Sequence, residues 1–530
     1  MRGTVSSVSP PPAGLPPPSR RRTIANVVVS QLSTAIVTAG SFVVTPAVLF
    51  GLGDSAYGGW LLINSFISYL RLLDLGTSAG TVKYGAGAEG RGDVVDLAKV
   101  MNTSAAIFAC LATTALLVTV ALTRVLPHLF PAVATGQTLT IVVLGAAMVL
   151  ELSSRPFVAA LRMRSMHWIH DAAEICTYTV FKLGLVLYFA YRRELSYHVL
   201  ALLTLGETAL RGSISVVAAL TISPAARKLN PFSAERAMVR KLVTMGAAVT
   251  IIMVADVVRF QLDAGVIGYL LPESPVSISI FGVGTRLASV SFMAIGTIAA
   301  VLMPRFSGLS ESGDKKSNVD LLRSSSLVTG LVASFVLVNL AVLGPQFLVL
   351  WLHKPWVTTS GQILLIVLPG YYIALLSGPS SAFLLGRGKL RGLTILAVVD
   401  ALVNLALSVA LVRPLGVYGV ALGTAIPLAF FRGVAFPIVL KGELGLAPRE
   451  YFRMHARAVG IGLVYLVLVG GLAFVHASSY RTFFLLALGS ALVFAALLMV
   501  AMPEVRAAVV RKLRSRRRRP AIPESEPLDP

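Results

Sequence analysis

Only two cysteines occur in the 530 residues, and only 13% of the chain is charged. Cys110 and Cys176 both sit in apolar stretches, so no disulfide framework or thiolate metal site is available. Both read as small buried hydrophobes. No Walker A loop is present: the one Gly-Lys dipeptide, Gly388-Lys389, is followed by Leu390 and lacks the spaced upstream glycine. The surrounding Gly386–Gly392 cluster reads as a basic turn rather than a phosphate cradle. HExxH, GxSxG and CxxC are also absent. Long loops are missing too, and with them the room for a soluble catalytic domain. The first loop on the side away from the termini spans only residues 51–56, with Asp54 its one acid. The chain therefore reads as a non-enzyme, and nothing in it calls for a cofactor or a metal.

What is abundant is apolar length. Hydrophobic residues make up 56% of the chain, and the mean hydropathy is +0.80. A membrane-crossing helix needs about 20 mostly apolar residues, and about fourteen such stretches can be placed. They run over 24–49, 58–83, 98–123, 137–161, 168–190, 197–222, 241–264, 275–304, 320–350, 360–385, 391–413, 416–440, 455–476 and 482–503. The runs are too long for tilted strands and do not alternate, which excludes an outer-membrane barrel. The fold class is an all-α polytopic membrane protein.

The net charge of +22 is concentrated in alternate loops. Arg20–Arg22, Arg162 and Arg164, Arg227 to Arg240, Lys315 and Lys316, Arg387 to Arg391, and Lys441 to Arg453 all fall on one side. The loops between them hold little beyond Arg124, Arg192, Arg193, Lys354, Arg413 and Arg481. The positive-inside rule then places both termini in the cytoplasm, in agreement with an even number of spans. Topology accounts for the basic charge, and no nucleic acid is called for. The tail at 511–519 (RKLRSRRRR) serves as a cytoplasmic anchor or meets anionic headgroups.

Residues 1–23 are rich in proline and arginine and predict a disordered tail. The first apolar run is too long for a signal-peptide core. Two six-helix lobes are expected at 24–222 and 241–440, joined by a polar linker at 223–240. An extra helix pair fills 441–503, and a basic then acidic tail fills 504–530. The lobes look like a duplication: Gly76-Thr77 and Gly296-Thr297 occupy matching places, giving a repeat of about 220 residues, a pattern common in transporters. Pro46, Pro156, Pro304, Pro369, Pro379 and Pro427 interrupt spans, as kinks or hinges. Asn102-Thr103-Ser104 matches a glycosylation sequon by chance.

Four opposite-charge pairs lie inside the apolar segments: Arg71/Asp74, Glu151/Arg155, Glu207/Arg211 and Asp256/Arg259. Spacings of three and four put both partners on one helical face, where they can neutralise each other. Intramembrane charge is costly, so these groups should face a protein interior or an aqueous cavity.

Several segments resemble bacterial polysaccharide-biosynthesis flippases of the Wzx type. Residues 52–84 (LGDSAYGGWLLINSFISYLRLLDLGTSAGTVKY) are similar to the family's opening. Asn404 to Ser408 with LGVYGVALGTAIP at 415–427 are similar to its second-half signature, and Arg259 to Asp263 with Ile267-Gly268 to its seventh span. The resemblance covers residues 24–440 and implies two lobes that expose a central cavity alternately to each side. Its implied cargo is an undecaprenyl-pyrophosphate-linked oligosaccharide, moved to the outer leaflet of the bacterial inner membrane. Membrane lipids, and a polysaccharide polymerase with its export proteins, are the implied partners. Fourteen spans resemble the lipid II flippases, which leaves the cargo open.

A pyrophosphate needs cations, and arginine's planar fork suits it. Arg71, Arg211, Arg259 and Arg286 are therefore the candidate headgroup contacts. Asp74, Glu207, Asp256 and Asp400 would tune them or carry a coupling proton. A structural bridge between helices is the alternative for each paired arginine. Arg286 has no acid within four residues, and Asp400 has no nearby base. Lys182, Arg155 and Arg432 are read as snorkelling from helix ends. Tyr371 and Tyr372 would stack on sugar or join an aromatic belt. Two other functions stay open: an organic-cation antiporter of the same fold, and a non-transporting scaffold for glycan synthesis.

Overall fold

In lipid every backbone polar group must be satisfied within the chain, and apolar runs of this length satisfy that as helices. A computed structural model describes residues 20–74, 76–130, 133, 136–311, 315–504 and 506–507. Among them there is helix and no strand. The first half comprises α1 (Arg20–Leu52), α2 (Asp54–Tyr69), α3 (Thr77–Gly90), α4 (Val94–Leu129), α5 (Thr138–Met163), α6 (Trp168–Arg192) and α7 (Tyr197–Ile222). After a short α8 (Pro224–Arg227), the second half comprises α9 (Arg236–Leu270), α10 (Ser274–Glu311), α11 (Lys315–Leu352) and α12 (Val357–Leu376). It continues through α13 (Gly378–Gly386), α14 (Arg391–Leu415), α15 (Val417–Phe430) and α16 (Phe436–Leu444). The final pair is α17 (Pro448–Gly470) and α18 (Tyr480–Ala501).

Twelve helical segments among the described residues are long and apolar enough to cross a membrane. The second and seventh expected spans, the other two, are also helical but carry charge. The second is broken: α2 and α3 are separated by a 3₁₀ turn at Leu70–Asp74 and by Gly76, which sits at φ 69°. The seventh is α9, with Asp256, Arg259 and Asp263 along it. The two Gly-Thr pairs therefore differ locally, because Gly296-Thr297 lies inside the continuous α10.

In the first half α5 packs on α4 and α7, and α1 on α6. In the second, α14 packs on α9 and α15, while α12 packs on α10, α11 and α15. α2 against α10, and α3 against α9, join the halves. One buried cluster runs through both, including Leu62, Phe108, Ile267, Phe281, Trp351 and Leu364. Small residues permit the closest approaches. A Cβ on Gly58 of α2 would overlap the carbonyl oxygen of Pro275 in α10.

Helix joints gather on two faces. On the face where α1 begins, Asn26 Nδ2 donates to Ser165 O at 2.9 Å and Arg164 pairs with Glu89. On the opposite, far face, Leu195 N donates to Gly51 O at 2.8 Å and Gln346 Nε2 to Leu472 O at 3.1 Å. The 223–240 stretch is docked on α4 rather than free. Asn102 Oδ1 accepts from Asn230 N at 2.8 Å, and Lys99 pairs with Glu235 at 3.1 Å. Asn102 is thereby engaged and Thr103 and Ser104 are fully buried, which closes the sequon. α17 holds to α11 through Tyr465, whose hydroxyl accepts from Asn339 Nδ2 at 2.8 Å and meets Ser490 Oγ of α18 at 2.7 Å.

Cys110 and Cys176 correct the reading as buried hydrophobes: both are exposed, on outward surfaces of α4 and α6. In lipid an outward small apolar side chain needs no protein partner, so hydropathy alone cannot place it inside. The proline-rich start and the 511–519 arginine run lie outside the described residues.

Candidate functional site

Charged side chains of the first half meet where α5, packed on α6 and α7, faces the broken second span. Glu151 of α5 is the hub. Its Oε1 accepts from Arg155 Nη2 at 2.6 Å, and its Oε2 lies 3.5 Å from Arg71 and 4.0 Å from Arg211. Arg211 of α7 also pairs with Glu174 of α6 at 3.2 Å. Ser33 of α1 donates to Glu174 Oε2 at 2.7 Å. A cavity of about 220 Å³ opens here, lined by Glu151, Arg155, Arg162, His170, Glu174 and Arg211, with Asp171 also on its wall. With Arg71 beside Glu151, four arginines meet three carboxylates, an excess of positive charge.

His170 joins this wall through Ser215 of α7. Ser215 Oγ lies 2.9 Å from His170 Nδ1 and 2.9 Å from Arg211 O, which ties the ring to α7 beside Arg211.

Two of the four sequence-adjacent pairs form. Glu151/Arg155 and Asp256/Arg259 hold at 2.6 and 2.8 Å. Arg71/Asp74 does not. Asp74 accepts from Ser78 N at 2.9 Å and from Ser78 Oγ at 2.7 Å, tying down the start of α3, while Arg71 turns to α5. Glu207/Arg211 does not form either. Glu207 takes Lys182 of α6 at 2.8 Å, and Arg211 takes Glu174, so each group pairs across helices instead of along one. This also corrects Lys182 and Arg155 as snorkelling groups, since both are held in ion pairs.

Second-half charges gather around Arg259, which is 2% exposed. It pairs with Asp256 at 2.8 Å and with Asp400 of α14 at 2.7 Å, supplying the base that Asp400 lacks nearby in sequence. Arg432, expected at a helix end, instead lies in a π-helical turn, Phe431–Ala435, beside a cavity of about 360 Å³. Deeper in the bundle Asp263, 5% exposed, accepts from Thr424 at 3.1 Å and has no basic group within ion-pair distance among the described residues. The sequence reading passed over Asp263. Its signal was an acid with no opposite charge within four residues except Arg259, which Asp256 already engages.

Arg286 stands alone. It is exposed, pairs with no carboxylate among the described residues, and faces first-half residues, close enough for its charge to act on the Tyr57 and Tyr178 hydroxyls. Tyr371 has no open ring face for a sugar, and Tyr372 is half-buried. Tyr371 is buried against Phe260 and Phe292, and Tyr372 meets Ser334 Oγ at 2.9 Å. The Gly386–Gly392 cluster is a turn, with Arg387 over the Phe383 ring and Lys389 3.7 Å from Glu443.

No family model matches the chain, and no curated protein matches it in sequence. Its fold is shared with solved transporters. An inward-facing multidrug-resistance MATE-family transporter of the MOP superfamily aligns with TM-score 0.67 at 15% identity, over 80% of this chain and 98% of that one. The lipid II flippase MurJ in an inward closed conformation aligns with TM-score 0.67 at 13% identity, over 91% and 99%. A MOP-superfamily transporter from Pyrococcus furiosus, described as having a binding pocket of reversed polarity, aligns with TM-score 0.57 at 14% identity, over 81% and 99%.

Proposed function

We propose that this chain is a membrane transporter that flips a polyprenyl-pyrophosphate-linked oligosaccharide between leaflets by alternating access, during exopolysaccharide or O-antigen synthesis. The observation that carries the reading is the first-half cavity, where four arginines meet three carboxylates between the helices. A pyrophosphate entering a low-dielectric interior needs compensating positive charge. Arg71, half free of Glu151, and Arg211 offer it from one side. Arg286, without a carboxylate, offers it from the facing helix. The polyprenyl tail stays in lipid, and the helices 24–222 and 241–440 act as the rocking lobes. Both termini face the cytoplasm of a bacterial inner membrane. The partners are the lipid-linked cargo, membrane lipids, and a polysaccharide polymerase with its export proteins.

The test follows the partners that the fold selects. Arg211→Gln alone leaves Glu174 without its cation, so the informative variant is Arg211→Gln with Glu174→Gln. It should reach the membrane at wild-type level, export no glycan, and accumulate the lipid-linked intermediate on the cytoplasmic leaflet. Normal export by that double variant would show the cluster to be structural and remove the cargo assignment. An organic-cation antiporter is the second reading, favoured by Asp263, a buried carboxylate without a basic partner among the described residues. It predicts ethidium resistance on overexpression with no change in glycan.

A further inference from the structure

The second-half cavity has a chemistry that the transport reading does not use. Its walls are apolar and aromatic, built from Phe260, Phe292, Leu375, Leu385 and Leu393 on five different helices. At about 360 Å³ it falls in the size range of small-molecule sites, roughly 300–1,000 Å³. One side is polar. Arg259, Arg432 and Asp256 line it, and among the described residues Arg259 is ion-paired to Asp256 and Asp400 while Arg432 is within reach of their charge. Arg432 is half-buried and pairs with no carboxylate among the described residues. The π-turn at Phe431–Ala435 lets the helix carry an extra residue per turn at this point, a local distortion often found at functional sites.

Several donors here are unspent. Arg259 Nε is buried without a hydrogen-bond partner, and so is the hydroxyl of Thr329, which is 2% exposed and lines the same cavity. Of Arg259's two carboxylates, Asp400 is 1% exposed and fixed, whereas Asp256 is 44% exposed and can swing aside. Asp256 and Asp400 balance the two guanidiniums at rest, and a phosphate oxygen takes the place of the Asp256 carboxylate when that side chain turns outward. Arginine's fork fits a tetrahedral or planar oxyanion, and the apolar walls fit a hydrocarbon chain.

We infer that this cavity is a binding site for a single-chain amphiphile with a phosphate head, whose oxygens take Arg432 and Arg259 while its chain lies along Phe260, Phe292 and Leu385. The ligand is a membrane lipid or the phosphate end of a prenyl carrier, which share this chemistry. The assignment does not rest on the cargo proposed above: a chain that exports no glycan can still bind here.

The test uses the full chain in phosphatidylcholine nanodiscs, with decyl phosphate as probe and thermal unfolding and titration calorimetry as readouts. Decyl phosphate should raise the melting temperature in a saturable way, while decanol and inorganic phosphate should not. Arg432→Gln should weaken binding by about tenfold or more, the loss expected for a charge-assisted contact. Because an arginine variant can fail to fold, Gly296→Phe provides a second arm. Gly296 lines the cavity and a Cβ there meets nothing within 4 Å, so a side chain can leave the backbone at this point and a ring should fill the cavity and displace the chain. Competition by phosphatidic acid or by undecaprenyl phosphate then identifies the source, and displacement by either supports the site. Equal stabilisation by decanol, or unchanged affinity in both variants, overturns it.

Discussion

Arg259 of α9 and Asp400 of α14 meet at 2.7 Å with exposures of 2% and 1%. Breaking such a pair leaves one buried charge uncompensated, at a cost of about 3–5 kcal/mol, whereas replacing both partners with apolar groups is often neutral. Asp400→Leu leaves Arg259 only the partly exposed Asp256 and should therefore lower stability by about 1–3 kcal/mol. Arg259→Met with Asp400→Leu should recover most of it, though Asp256 then loses its cation and limits the recovery. Unfolding in mixed micelles with an anionic detergent measures both. A single variant as stable as the double would show that Asp256 alone compensates the guanidinium.

Asp54 ties the halves together on the far face. Its carboxylate pairs with Lys354 at 2.7 Å and accepts from Trp356 Nε1 at 2.9 Å, and its carbonyl accepts from Ser279. All three partners belong to the second half, so separation of the halves on this face must break all three. The pair is about a quarter exposed, and the ion pair alone contributes about 1 kcal/mol or less. Asp54→Asn should raise the population with a separated far face by a few-fold. Spin-label distances between Glu194 and Thr358, both exposed there, report it. An unchanged distance distribution would remove Asp54 as a tie.

Gly58 bears on the same closure through sterics. Any side chain at this position meets the Pro275 carbonyl, and backbone cannot yield as a flexible side chain can. Gly58→Val should hold α2 and α10 apart and lengthen the same spin-label distance. Wild-type distances in that variant would mean that the α2–α10 contact is not needed for closure.

Tyr465 holds α17 and α18 to the bundle by the contacts to Asn339 and Ser490. Tyr465→Phe leaves the Asn339 amide with one partner fewer and should cost about 1–2 kcal/mol. Limited proteolysis should then cut the joint at 475–479 sooner than in wild type. An unchanged cutting rate would assign the attachment to packing alone.

Cys110 and Cys176 are exposed within the α4 and α6 spans. In vesicles both should react with a lipid-soluble maleimide, and neither with a membrane-impermeant sulfonated one. Labelling by the impermeant reagent would place an aqueous path along these helices.

Much of the candidate site was legible because intramembrane charge is rare and conspicuous. Arg211, Arg259, Asp256 and Asp400 all lie on a cavity wall or in an ion pair beside one, and each was visible as a charge in an apolar run. Arg162, His170, Asp171 and Glu174 were not singled out, because they stand near helix ends, where charge is ordinary. Only the approach of α5, α6 and α7 turns those ends into one wall.

Hydropathy and spacing determined that this chain is a helical bundle, where its helices run, and which local pairs were possible. A bilayer allows apolar runs of this length no other backbone state, so the sequence alone was sufficient for that. Partner choice was decided by tertiary structure. Glu207 and Arg211 share a helical face but pair with Lys182 and Glu174 across the interface with α6, and Arg259 reaches Asp400 on a helix far along the chain. Spacing along one helix says which groups can meet. The rotation and depth of the neighbouring helix, set by packing of the whole bundle, say which ones do.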